Sequence, residues 1–177
     1  VCSSDLGGLG NDQLIGNSGN DVVIESGDVN FSVTVNIPLD PTLSPVTTLK
    51  GVGTDDLQGI EGLKLTGGVS ANRIDVTAFL GRATLDGGSG NDTLIGGAFA
   101  DVLIGGDGND ELVGNEGNDS ITGDAGDDKL TGGLGHDSLE GGAGGDNMDS
   151  NDGIQDQVRY DLLDTLLKDV SDILTLI

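Results

Sequence analysis

GGSGNDTLI (87–95), GGAFADVLI (96–104), GGDGNDELV (105–113), GNEGNDSIT (114–122), GDAGDDKLT (123–131), GGLGHDSLE (132–140) and GGAGGDNMD (141–149) follow one another without a gap. Two further units, GGLGNDQLI (7–15) and GNSGNDVVI (16–24), lie near the start. A nine-residue period repeated in register is the signature of a stacked, quasi-one-dimensional fold. Position 1 is Gly in every unit, and position 4 is Gly in all but one, where Phe99 intrudes. Position 6 is always Asp: Asp12, Asp21, Asp92, Asp101, Asp110, Asp119, Asp128, Asp137 and Asp146. Position 8 is always apolar, from Leu14 and Val23 through Leu94, Leu103, Leu112, Ile121, Leu130 and Leu139 to Met148.

Each column has a physical meaning. The Gly-rich first six residues form a turn, because Gly takes positive φ and leaves its carbonyl unscreened. The last three, x-apolar-x, form a short strand with only the middle residue facing inward. Two units make one coil of 18 residues. The predicted fold is all-β, a parallel β-roll or β-solenoid. Coils stack at the parallel-strand spacing of about 4.8 Å, so turns two units apart lie against each other. This places Asp92 beside Asp110, Asp101 beside Asp119, Asp110 beside Asp128, Asp119 beside Asp137, and Asp128 beside Asp146. Carboxylates stacked so closely repel one another, and a cation between them removes that cost. Carboxylate and carbonyl oxygens are hard ligands that suit calcium; magnesium holds its water and demands stricter geometry.

The pattern GGxGxDxUx resembles the RTX, or haemolysin-type, calcium-binding repeat over 7–24 and 87–149. The resemblance implies a parallel β-roll with each calcium ion held between stacked turns by the position-6 Asp and by Gly carbonyls. Carried onto this chain, those carbonyls belong to residues such as Gly88, Gly90, Gly106 and Gly108. It also implies secretion by a type I system, with folding triggered by calcium outside the cell. Phe99 and Ala100 depart from the pattern, so the turn at Asp101 is expected to be a poor or empty site, and His136 stands where Asn or Asp is usual.

Composition agrees with a thin core. The chain of 177 residues has 33 Gly, no Trp, one Tyr and three Phe. Asp and Glu number 31 against 7 Lys and Arg, a net charge of -24. That excess disfavours nucleic acid and anionic membrane surfaces and favours cations. One buried apolar residue per unit is little to set against the ordering of nine residues. The metal-free chain is therefore expected to be unfolded or loose, with ion binding driving folding. Cys2 is the only cysteine, which rules out an internal disulfide, and no apolar run is long enough to cross a membrane. Val1–Leu6 stand outside the repeat and are read as an artefact or fragment edge, which leaves export undecided.

Residues 25–86 lack the perfect repeat. Alternation of Val29, Phe31, Val33, Val35 and Ile37 predicts a strand, Pro38, Pro41 and Pro45 a loop, and GGVSANRID (67–75) a degenerate unit with Asn72 in place of Asp. This region reads as a β insertion or as non-standard coils between two repeat blocks. In 150–177, SNDGIQDQVRY reads as a last slipped repeat with Asp156 and Val158 at the metal and core positions. Leu162, Leu163, Leu166, Leu167, Val170, Ile173, Leu174 and Ile177 fit one face of a helix, with a strand pair as the alternative; either would cap the solenoid. Position 9, Ile15, Ile24, Ile95, Ile104 and Val113 in the earlier units, is expected to face outward, covered by 25–86 or by a partner or left as ordinary exposed aliphatics.

No catalytic constellation accompanies the repeat. One His excludes an HExxH site, GNSGN (16–20) and GGSGN (87–91) lack the final Gly of a nucleophile elbow, and DSNDG (149–153) does not match an EF-hand loop. The expectation is a calcium-binding, non-enzymatic module of a secreted, extracellular protein. The alternatives are the C-terminal module of a larger secreted enzyme, a protease or lipase, and a surface adhesin. Other domains of a larger chain are its expected partners besides calcium.

Overall fold

The fold is that of a computed structural model, which describes residues 13–15, 22–27, 31–36, 46–50, 54–58, 60–150, 157–160, 165–167 and 173–176. Eighteen strands lie among the described residues, in one sheet of ten and one of eight. From residue 62 onward, successive strands alternate between the sheets. Gly62–Thr66, Arg82–Ser89, Val102–Asp107, Ser120–Ala125, Ser138–Ala143, Gln157–Tyr160 and Ile173–Leu176 follow Val22–Ser26 across the eight-stranded sheet. Arg73–Asp75, Thr93–Ile95, Glu111–Glu116, Lys129–Leu134, Asn147–Asp149 and Thr165–Leu167 run across the other. All these pairings are parallel. The protein is a β-solenoid, as the repeat predicts.

The core is two ladders of single side chains. Ile74, Leu94, Leu112, Leu130 and Met148 stack from one sheet. Leu65, Leu85, Leu103, Ile121, Leu139 and Val158 stack from the other. All are fully buried and belong to one cluster. The period of two along each short strand puts one residue in and its neighbours out, and the 18-residue coil brings like residues into contact: Leu103 pairs with Ile121 and Leu112 with Leu130.

Within 25–86 the described strands form an inserted meander and further coils. Phe31–Asn36, Val46–Lys50 and Thr54–Gln58 form an antiparallel meander inside the ten-stranded sheet, and Gln13–Ile15 joins its far side in parallel. Residues 60–86 continue the solenoid with a longer step: Ile74 pairs with Leu94 and Leu65 with Leu85. Ile95, Ile104 and Val113 at position 9 are half-buried, and Thr77 lines one hollow with Val113.

The helical spacing read in 162–177 is corrected. Thr165–Leu167 and Ile173–Leu176 are strands, placing Leu166 on Met148 and Leu174 on Val158. The same leucines satisfy either period. The open strand edges at the end of both sheets decide, because they offer backbone partners that an isolated helix would leave unmet. No helix among the described residues is long and apolar enough to cross a membrane.

Candidate metal centre

The turns form two rows, one along each edge of the solenoid. One row runs Asn72, Asp92, Asp110, Asp128, Asp146; the other runs Ala83, Asp101, Asp119, Asp137. In each, the backbone N–H of one residue donates to Oδ1 of the Asp one coil further on. Examples are Asp92 N to Asp110 Oδ1 at 2.7 Å, Asp110 N to Asp128 Oδ1 at 2.8 Å and Asp101 N to Asp119 Oδ1 at 2.8 Å. Asp119 to Asp137, Asp128 to Asp146, Asn72 to Asp92 and Ala83 to Asp101 repeat the bond. The pairs expected from the spacing are therefore in contact through their backbones.

The carboxylates are buried. Asp92, Asp101, Asp110, Asp119, Asp128, Asp137 and Asp146 are all at most 3 % exposed. Oδ2 of Asp110, Asp119 and Asp128 has no hydrogen-bond partner. A buried carboxylate oxygen without a donor is costly, and the acidity of these groups reflects it. Burial pushes the Asp119 carboxyl up to about 7, against the Asp101 N–H that favours its charge, while Asp137 and Asp101 add repulsion. Burial likewise raises Asp128 to about 6, with Asp110 and Asp146 repelling it. Asp110 and Asp101 are also raised, first by burial.

A second oxygen lies near Oδ2 of each of Asp110, Asp119 and Asp128. A methyl group placed on Gly105 would collide with Asp110 Oδ2 and lie 2.7 Å from the carbonyl oxygen of Gly123. On Gly114 it would meet Asp119 Oδ2 and, at 2.6 Å, the Gly132 carbonyl; on Gly123, Asp128 Oδ2 and, at 2.5 Å, the Gly141 carbonyl. The position-1 glycines thus leave room where two oxygens from adjacent coils converge. Their φ is not positive, so they are required for space rather than for backbone freedom. These carbonyls, of Gly123, Gly132 and Gly141, were not read from the sequence, because a backbone oxygen leaves no mark in a residue column. Gly88, Gly90, Gly106 and Gly108, whose carbonyls the resemblance implies as ligands, take positive φ, and the Gly88 and Gly90 carbonyl oxygens lie where a Cβ on Gly106 and Gly108 of the next coil would stand.

The donor set is carboxylate and carbonyl oxygen with buried negative charge, which fits calcium. Among the described residues no three carboxylate, imidazole or thiolate side chains converge. A site here is made of stacked turns, each giving one carboxylate and its backbone. Asp12, Asp21 and Asp156 lie outside the described residues. His136 sits exposed in its turn, its N–H donating to Asn118 Oδ1 at 3.0 Å.

A model of the RTX calcium-binding nonapeptide repeat, in four copies, matches residues 6–24, 86–121 and 122–154. The chain carries the RTX calcium-binding nonapeptide repeat. Its nonapeptide repeats bind calcium. The RTX match of 86–121 and 122–154 falls on the two rows of buried aspartates. No curated protein and no solved structure matched the chain.

Proposed function

We propose that this chain is a calcium-folded structural module of a secreted, extracellular protein. The observation that carries the reading is the set of buried aspartates whose Oδ2 atoms, in Asp110, Asp119 and Asp128, have no donor and lie near a carbonyl of the adjacent coil. The residues that would hold calcium in the described rows are Asp92, Asp110, Asp119, Asp128, Asp137 and Asp146. Carbonyls of the turn glycines, Gly88, Gly90, Gly106 and Gly108 among them, complete the set; Asp156 extends it by the repeat, and Asp12 and Asp21 belong to the separate first block. Bound calcium supplies the positive charge that offsets the stacking of carboxylates. The chain's own part is to hold one oxygen of each Asp on a backbone N–H and aim the other at the turn beside it. The motif content supports a structural rather than a catalytic role, and the RTX repeat type supports secretion.

Far-UV circular dichroism during a calcium titration from excess chelator, with magnesium as control, tests the reading. A large coil-to-β gain with calcium and none with magnesium is expected. An equal β signal in chelator and in calcium would overturn it.

A further inference from the structure

The turns fall into two classes. In the turns ending at Asp92, Asp110, Asp119, Asp128, Asp137 and Asp146, position 4 is Gly with φ between 120° and 148°. In the same turns position 2 also has positive φ, as at Gly88 (94°), Gly106 (106°), Asn115 (78°) and Asp124 (74°). In the turns ending at Asn72 and Asp101, position 4 is Ser70 and Phe99, and neither Ser70, Phe99, Gly68 nor Gly97 takes positive φ. There the position-2 N–H turns inward and closes on the side chain: Gly68 N donates to Asn72 Oδ1 at 2.7 Å and Gly97 N to Asp101 Oδ2 at 2.7 Å. The oxygen left without a donor in Asp110, Asp119 and Asp128 is thus satisfied internally in Asp101. A side chain at position 4 disfavours the positive φ, and the turn refolds around its own N–H.

These two turns are neighbours on the N-terminal side of the two rows, each at or next to the start of its row. Beneath them the rows change chemistry. Asn72 is neutral and Ala83 has no side-chain oxygen, so carboxylate repulsion stops there. The core also thickens: Leu63 joins Leu65, Ala83 joins Leu85, and Val76 and Phe79 are buried in the turn between strands. More apolar area per coil and less charge are the conditions under which a coil holds without an ion.

We infer that Ser70 and Phe99 set the lower limit of both calcium rows, and that the coil beneath, residues 62–85, folds without calcium and is the template on which the calcium-dependent coils stack. The inference rests on the calcium reading above but fails separately from it. Phe99 is a positioning residue: it acts through the Gly97 backbone and touches no ion.

Hydrogen exchange of the full chain in chelator and in calcium decides the matter. In chelator, amides of 62–85 stay protected while those of 111–149 exchange, and calcium protects both. Exchange throughout the chain in chelator, reversed by calcium, would overturn the template and leave the calcium module standing. Protection that calcium does not change anywhere would overturn the calcium module itself. Calorimetry of Phe99→Gly tests the position-4 rule, with about one further ion bound per chain than in the parent. An unchanged stoichiometry in a variant that still folds with calcium would overturn the rule.

Discussion

A missing methyl group at Gly105 matters as much as the carboxylate at Asp110, because the two share one small space. Gly105→Ala pushes a Cβ against Asp110 Oδ2 and the Gly123 carbonyl without altering charge. Overpacking of this kind costs about 1–3 kcal/mol. With about five ions taken up together on folding, the calcium concentration at the midpoint should therefore rise roughly twofold, read by circular dichroism against Ser120→Ala on the exposed face as the control. The Asp column is plain in the sequence because a carboxylate announces its chemistry. The reason for the position-1 Gly is not, since a residue conserved across units for what it lacks looks the same as one kept for positive φ. The Gly97 N–H on Asp101 was equally hidden, although Phe99 marked the turn as abnormal.

At the scale of the strand, stability resides in ladders of identical contacts. Leu112 sits between Leu94 and Leu130, fully buried. Leu112→Ala should destabilise the calcium-loaded fold by about 2–5 kcal/mol, measured by denaturant unfolding at fixed calcium. The repeat strands were legible because a strict nine-residue register leaves one inward position per strand. The strands near the C-terminus were not, because Leu166 and Leu174 fit a helical period as well as an alternating one. What chose between them is the open edge of the stack, a partner that no local pattern contains. The coils over 60–86 were legible only as non-standard, with an insertion as the alternative, for a related reason. Ile74 and Leu94 are partners in adjacent coils but 20 residues apart, which breaks the sequence period without breaking the ladder.

Across the whole molecule the net charge of -24 and the buried aspartates set a pH dependence. In the metal-free fold Asp119 titrates near 7 and Asp128 near 6, both above the ordinary carboxylate value of 3.8. A folded-state pKa raised this way favours folding below the unfolded value and loses that contribution as pH rises through the folded values. In chelator, acidification from pH about 8 to about 5 should therefore restore part of the β signal. Calcium binding needs the carboxylates ionised, so its affinity should fall over the same interval. Circular dichroism in chelator and calcium titrations at both pH values check the two halves.

The register of 18 residues between hydrogen-bonded aspartates also governs how such a molecule can change length. Copying one whole coil inserts a segment whose every side chain meets the neighbours it had before, and no other part of the chain has to adjust. Duplication of a DNA segment of that size is then close to neutral for folding, whereas a gain or loss out of phase with the repeat has to be absorbed in a turn, as the 20-residue step from Ile74 to Leu94 is. The protein can grow or shrink in steps of its own period, with the start of its metal rows fixed by Ser70 and Phe99 and the far limit free to move.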